Sequence, residues 1–358
     1  MAQFHTLTVK DIYKETEDCS VIVFDIPEEL QEEFKFRQGQ HLTLKTKING
    51  EEVRRSYSLC SGPTEGVWRV AVKQIFEGKF STFVNSTLKK GDVLEVMPPV
   101  GEFGVDIQPE KEKDYIAFVA GSGITPVLSM IKAHLALEPK SRFRLFYLNR
   151  TAKSIIFKEE IEALRNIYLG RFEVFYFLDG EHRTIELLNG RFTPEKLEYL
   201  NAKVVDFSEM DECFICGPEP MIFLIRDELI KLGLPKEKIH YELFVSGLSE
   251  EAKQRAAAAL EQRAKGGTKI TVLDGGKEFH FTMGEAHDNI LDAALAAGAD
   301  LPFACKGGVC STCKCKLVEG EVKMKLNYAL EEDEVENDFI LSCQAVPTTD
   351  KVIVDFDV

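Results

Sequence analysis

Ala304-Cys305-Lys306-Gly307-Gly308-Val309-Cys310-Ser311-Thr312-Cys313-Lys314-Cys315 decides the reading of this chain, together with Cys343, which follows Cys313 after 29 intervening residues. Three thiols crowd one loop at Cys-x4-Cys-x2-Cys spacing and the fourth is remote, a pattern that ligates a [2Fe–2S] cluster. A four-cysteine zinc site is the competing reading. Zinc sites usually present two short Cys-x2–4-Cys pairs, whereas here the fourth cysteine stands far away. Cys305, Cys310, Cys313 and Cys343 are therefore the expected metal ligands, and Cys315 is expected to be a packed neighbour. Four thiolates around two ferric irons and two sulfides keep a net negative charge, so burial requires N–H donors aimed at the sulfurs. Gly307 and Gly308 let the backbone close around such a group, and Ser311 and Thr312 are small enough for a tight loop. A cluster of this kind moves one electron at a time, so the spacing points to electron transfer.

Composition bounds the rest. A chain of 358 residues predicts two or three domains. A net charge of −15 and a pI near 5.1 argue against a nucleic-acid partner, which would need a basic face. From Thr268 onward, 17 acidic side chains face eight lysines and no arginine. Such a surface suits electrostatic steering toward a basic partner, or is simply a solvated face. No stretch reaches the length of apolar residues needed to cross a bilayer, and residues 1–6 carry no apolar signal core, so no membrane partner is expected. Nine cysteines, four of them assigned to a cluster, do not form a disulfide framework, and reduced thiols fit the cytoplasm.

Three patterns follow one another along the chain. Residues 1–106 alternate in short runs such as Leu42–Thr46 and Trp68–Lys73, punctuated by Gly and Pro, and predict an antiparallel barrel. Residues 107–246 alternate strand and helix: Tyr115–Ala120, Arg142–Leu148, Phe172–Leu178 and Glu212–Cys216 read as strands of an open parallel sheet. Residues 247–267 read as a helical linker, capped by Ser249 and ended by Gly266-Gly267. With few apolar anchors it is expected to act as a semi-rigid spacer between electron donor and acceptor. Residues 268–358 begin with a hairpin around Asp274-Gly275-Gly276, continue with a helix over Asn289–Ala297, and then enter the cysteine loop.

Arg55-Ser56-Tyr57-Ser58 ends a barrel strand, Gly78-Lys79-Phe80-Ser81-Thr82 opens a short helix, and Pro99-Val100-Gly101-Glu102-Phe103 leaves the barrel. Together these resemble the flavin motifs of the ferredoxin–NADP reductase superfamily. The chemistry agrees: Arg55 offers a fork of donors to a flavin phosphate, the Tyr57 ring can stack on an isoalloxazine, and the Ser58 hydroxyl can hydrogen-bond near flavin N5. Amides at the start of the helix, with Gly78, Phe80, Ser81 and Thr82, suit a pyrophosphate. The resemblance implies FAD, with FMN the lesser alternative.

Gly121-Ser122-Gly123-Ile124-Thr125-Pro126 lies between a strand and a helix, a setting that admits a dinucleotide pyrophosphate at Gly121, Gly123, Thr125 and Pro126. Cys216-Gly217-Pro218 resembles the motif that places a cysteine beside the nicotinamide ring. Arg150 is the candidate for a 2′-phosphate, so NADPH is expected ahead of NADH. Leu178-Asp179-Gly180-Glu181 departs from the Ser-Arg pair that relatives place in this region; it is acidic and would repel a phosphate unless Arg183 reaches in. His240-Tyr241-Glu242-Leu243-Phe244 resembles the segment that lies against the flavin, with Glu242 near N5 and Phe244 over the ring.

The order of barrel, nucleotide sheet, linker and C-terminal plant-type ferredoxin resembles the reductase components of multicomponent oxygenases. The resemblance implies a Greek-key β-barrel for FAD, an α/β parallel-sheet nucleotide domain and a β-grasp [2Fe–2S] domain. It also implies a relay in which electrons enter from NADPH and leave singly through the cluster to an oxygenase or hydroxylase component, here a diiron oxygenase. Ser58, Cys216 and Glu242 are the residues expected beside the reacting atoms. The alternatives are a reductase serving a Rieske-type oxygenase or a hydroxylase, and a redox-sensing protein that holds its cluster without turnover.

Overall fold

A computed structural model describes residues 4–244, 250–264 and 266–358. The first strands are β1 (His5–Thr16), β2 (Cys19–Asp25), β3 (His41–Ile48), β4 (Glu51–Ser58), β5 (Trp68–Lys73) and β6 (Val93–Val96), with helix α1 (Lys79–Ser86) between β5 and β6. They form one sheet in the order β4-β3-β6-β1-β2-β5. Alternation directs the strands inward: Leu7 and Val9 of β1, Ile22 and Phe24 of β2, Leu42 and Leu44 of β3, and Val70 and Val72 of β5 build its core. Asn49 and Gly50, at φ 53° and 83°, make the two-residue turn from β3 to β4, where both positions must be left-handed.

The next elements are β7 (Asp114–Ala120), α2 (Ile124–Leu137), β8 (Arg142–Asn149), α3 (Lys158–Ile167), β9 (Phe172–Leu178), α4 (Pro194–Lys203), β10 (Glu212–Gly217), α5 (Glu219–Lys231) and β11 (Ile239–Leu243). The sheet runs β11-β10-β7-β8-β9, and its strands are parallel. The strand order reverses between β7 and β10, which opens a crevice at their carboxyl ends. Ile116, Ala117, Phe118 and Val119 of β7 are fully buried, as a strand covered on both faces must be.

The barrel and this sheet share a core. Cys19, Val21, Cys60 and Ala71 of the barrel pack in one cluster with Val127, Leu128 and Ile131 of α2. Charge adds to it. Arg69 Nη2 meets the Glu160 carboxylate at 2.5 and 2.7 Å, Lys132 Nζ meets the same carboxylate at 2.5 Å, and Lys132 also reaches Glu65 at 3.0 Å. The Glu15 carboxylate accepts from the Phe157 amide at 2.9 Å. Residues 5–53 and 57–244 accordingly form one compact unit.

A second compact unit groups residues 4 and 54–56 with the C-terminal elements. These are α6 (Glu250–Glu261), β12 (Thr268–Asp274), β13 (Lys277–Met283), α7 (Ile290–Ala296), β14 (Lys314–Glu319), β15 (Val322–Met324), α8 (Glu332–Glu336), β16 (Phe339–Leu341), β17 (Ala345–Pro347) and β18 (Lys351–Asp355). The sheet order is β13-β12-β18-β14-β16, with β12 and β18 parallel and the other pairs antiparallel. Helix α7 buries Ile290, Leu291 and Ala294 in the same core as Ile270, Val352 and Val354 of the sheet, a β-grasp arrangement. Asn289 caps α7 by accepting from the Asp292 amide at 2.8 Å.

Helix α6 departs from the expected spacer. Ala259 is 2% exposed, Arg255 Nη2 donates to the Tyr328 hydroxyl at 3.2 Å, Arg263 Nη2 donates to the Gly284 carbonyl at 2.9 Å, and the Ala264 amide donates to the Pro347 carbonyl at 3.0 Å. The helix is fastened to the C-terminal unit by arginines that reach a hydroxyl and a carbonyl and by one small buried side chain. Neither signal is apparent in an apolar-periodicity reading. The expected cap at Ser249 lies outside the described residues, and the helix ends at Glu261, ahead of the expected stop at Gly266-Gly267.

Candidate redox centre and nucleotide site

The cysteine loop turns through three left-handed residues, Lys306 at φ 53°, Gly308 at 78° and Ser311 at 48°. A Cβ on Gly308 would stand 3.0 Å from the Leu326 carbonyl, so the loop also needs its lack of side chain. Cys310, Cys313 and Cys343 are buried and Cys305 is half-buried. The four thiols interact electrostatically, with Cys305 hydrogen-bonded to Cys310 and Cys313 to Cys343. Donors converge on them: the Gly307 amide lies 3.3 Å from Cys305 Sγ, and Gln344 Nε2 lies 3.5 Å from Cys343 Sγ. The hydrogen bond from Cys310, with those of the Val309 and Gly307 amides, holds the Cys305 thiol below its ordinary range against the pull of burial.

Among the described residues no three His, Cys, Asp or Glu side chains close around a single-ion position. Four clustered thiols with amides aimed at them fit a two-iron cluster, which takes two thiolates at each iron. Cys315 is fully buried on β14 opposite Ile340, and burial raises its thiol far above the ordinary range.

In the first unit, Gly78 precedes α1, and a Cβ there would lie 2.4 Å from both Ile75 Cγ1 and Ser81 Oγ. Ser81 Oγ donates to the Gly78 carbonyl and accepts from the Ile75 amide, each at 3.2 Å. The Ser81 side chain thus shapes the turn, and the first-turn amides of Lys79, Phe80 and Ser81, which have no intrahelical acceptor, remain for a phosphate. Phe80 is buried and its ring lies 5.6 Å from that of half-buried Tyr57. Thr82 is exposed on the first turns of α1. Arg55 is exposed on β4 and donates Nη1 to the Arg54 carbonyl at 2.7 Å.

Gly121–Gly123 form one tight turn ahead of α2, with Gly121 at φ 53°. The two glycines differ in role. A Cβ on Gly123 would stand 2.3 Å from the Cys216 carbonyl oxygen, so Gly123 lets the turn pack on the end of β10. Thr125 Oγ1 donates to the Ser122 carbonyl at 3.0 Å, and Pro126 is buried in the first turn of α2. Gly217 packs closely on Ala120, whose Cβ would stand 3.2 Å from an added Cβ, and Pro218 occupies the N-cap position of α5.

Ser58, Cys216 and Glu242 come together. Ser58 Oγ lies 3.4 Å from Glu242 Oε2, and Glu242 is the register partner of Cys216 across β10 and β11. Cys216 is fully buried, and burial with the Glu242 charge beside it keeps the thiol well above its ordinary range, a neutral group rather than a nucleophile. Phe244 packs partly buried against the shared core. Arg150 is exposed beyond β8. Arg183 donates Nη1 to the Tyr176 carbonyl at 3.0 Å, which directs its guanidinium at the β9 backbone.

Sequence reasoning missed three contributors. The buried Tyr147 hydroxyl donates to the Gly121 carbonyl at 2.9 Å and so holds the glycine turn. Lys73 Nζ stands 3.9 Å from the position of a Gly121 Cβ. Gln344 Nε2 donates to the Lys306 carbonyl at 2.9 Å as well as facing Cys343. Only Gln344, adjacent to Cys343, carried a local signal.

Comparison with known proteins agrees with this arrangement. Residues 6–104 match the oxidoreductase FAD-binding domain, residues 118–227 the oxidoreductase NAD-binding domain and residues 272–348 the 2Fe-2S iron-sulfur cluster binding domain. The chain is 43% identical over 357 residues to a component of the 1,2-phenylacetyl-CoA epoxidase of Escherichia coli K12, covering 100% of this chain and 99% of that protein. It is 34% identical over 354 residues to the ferredoxin reductase component of 3-ketosteroid-9-alpha-monooxygenase of Rhodococcus rhodochrous, covering 98% and 96% of the two chains. Phthalate dioxygenase reductase shares the fold over 99% of this chain and 98% of its own, at a TM-score of 0.58 and 23% identity. The chain belongs to the family of FAD-, pyridine-nucleotide- and [2Fe–2S]-dependent reductase components of multicomponent oxygenases. No helix among the described residues is long and apolar enough to cross a membrane.

Proposed function

We propose that this reductase takes its electrons from NADPH and delivers them to a diiron epoxidase of an aromatic acyl-CoA thioester, of the phenylacetyl-CoA type. The identity of 43% along the whole chain to a component of such an epoxidase carries this reading. Bound FAD and the cluster supply the conversion of a two-electron donor into single electrons. The protein contributes position. Amides at the start of α1, with Thr82 on its first turns, hold the flavin phosphates, Arg55 supplies a phosphate partner, and Tyr57 lies along the ring. Ser58 and Glu242 present a hydroxyl and a carboxylate at the reacting edge, and buried Cys216 sets the back wall for the nicotinamide. Gly121, Gly123, Thr125, Pro126, Gly217 and Pro218 shape the nucleotide crevice, and Arg150 meets the 2′-phosphate. Cys305, Cys310, Cys313 and Cys343 hold the cluster. Free thiols throughout the described residues support a cytoplasmic site of action.

The test is reconstitution with the purified oxygenase component of a phenylacetyl-CoA epoxidase and NADPH, following consumption of the thioester. Rapid NADPH-dependent turnover is expected. Turnover with a 3-ketosteroid 9α-monooxygenase terminal component and none with the epoxidase would move the assignment to the second acceptor, which the 34% whole-length identity favours next.

A further inference from the structure

The loops after β8 and β9 are tied together. The Asp179 amide donates to the Asn149 carbonyl at 3.0 Å, and the Gly180 amide donates to the Arg150 carbonyl at 2.8 Å. A Cβ on Gly180 would stand 2.7 Å from that same carbonyl, so the loops touch backbone to backbone. This approach carries two carboxylates to the Arg150 loop. Asp179 is held by Arg191 Nε at 3.0 Å, which offsets its charge. Glu181 instead reaches across: its Oε2 accepts from the Ala152 amide at 3.1 Å, two residues past Arg150. A backbone hydrogen bond leaves the full negative charge on that carboxylate, and pins it.

We infer that Glu181 is a specificity-determining residue that weakens binding of 2′-phosphorylated pyridine nucleotides. This deepens the proposed function and rests on its reading that Arg150 meets the 2′ end of the nucleotide. A 2′-phosphate brings close to two negative charges toward a cation whose neighbourhood already holds a fixed carboxylate. A 2′-hydroxyl brings none, and can donate to a carboxylate instead. The carboxylate therefore taxes NADPH and spares NADH, and it narrows the preference that Arg150 sets. The group is exposed, so the effect is modest and falls as salt screens it.

The experiment titrates the purified flavin- and cluster-loaded protein with NADP+ and NAD+, followed by the flavin absorbance, alongside competition by 2′-AMP and 5′-AMP. Glu181→Gln keeps a hydrogen-bond acceptor and removes the charge. It is expected to tighten NADP+ and 2′-AMP by about two- to fivefold at low salt, to leave NAD+ and 5′-AMP unchanged, and to lose this gain at high salt. No change, or an equal change for both nucleotides, overturns the inference. Arg150→Ala separates the two levels. Selective loss of NADP+ affinity upholds the Arg150 reading whatever Glu181→Gln does, and no selective loss overturns both.

Discussion

Ser58 Oγ and Glu242 Oε2 lie 3.4 Å apart although 184 positions separate them in the chain. One ends the barrel strand β4 and the other belongs to the last strand of the parallel sheet, beside Cys216. The contact is long for a hydroxyl–carboxylate hydrogen bond, so it brings the two groups together without locking them.

Replacing Ser58 by Ala removes the hydroxyl without changing the shape of the strand. Flavin reduction by NADPH in a rapid-mixing experiment is expected to slow about tenfold, equivalent to about 1.4 kcal/mol of barrier, with flavin content unchanged. Glu242→Gln should have a smaller effect in the same direction, because an amide still accepts a hydrogen bond. An unaltered reduction rate in Ser58→Ala would remove the serine from the reacting edge.

Gly123 makes a different kind of demand. Its missing side chain is required by the Cys216 carbonyl, 2.3 Å from where a Cβ would stand. Gly123→Ala must push the glycine turn away from β10, at a cost of about 1–3 kcal/mol of overpacking strain. The expected result is a lower melting temperature together with weakened nucleotide binding. Gly121→Ala should instead strain a backbone at φ 53° while meeting no atom nearer than Lys73 Nζ. Equal stability losses in the two variants would contradict the division of roles.

The cluster loop offers a discrimination between neighbours. Cys343→Ser removes one of the four proposed ligands and should abolish the visible iron–sulfur absorbance while FAD is retained. Cys315→Ser places a hydroxyl at a fully buried position on β14. It should cost about 1–3 kcal/mol of stability through desolvation and leave the cluster spectrum intact. Loss of the cluster in Cys315→Ser at a temperature where the protein stays folded would give Cys315 a part in ligation.

These contrasts mark what is legible in the sequence. The crowded cysteine loop, the glycine turn and the strands of the nucleotide sheet are local: spacing, punctuation and apolar runs encode them within a few residues. The expected strand over Trp68–Lys73 coincides with β5, and the expected helix over Asn289–Ala297 is a cap at Asn289 followed by Ile290–Ala296. Pairings across the fold leave no such trace. Nothing near Gly123 announces Cys216, nothing near Tyr147 announces the Gly121 carbonyl, and the Ala-rich helix α6 hides its docking in two arginines. Such contacts depend on where the topology returns the chain, which a window of sequence does not contain.

The shared carboxylate of Glu160 is another of these long-range dependences. It joins Arg69 on the barrel to Lys132 on α2, and Lys132 has only 7% of its side chain exposed. Glu160→Gln leaves two partly buried cations around one neutral amide. Removing one partner of a buried ion pair typically costs about 3–5 kcal/mol. Glu65 still reaches Lys132 at 3.0 Å, and Glu160 itself is partly exposed, so a loss nearer about 2 kcal/mol is expected. The melting temperature should fall by several degrees, and the rate of flavin reduction should fall with it, because the flavin barrel and the nucleotide sheet are registered through this carboxylate. Adding Lys132→Met removes the cation that Glu160→Gln strands, so the double variant should recover part of the stability. If the double variant is as unstable as the sum of the two single changes, the three charges act independently and the carboxylate does not join the domains.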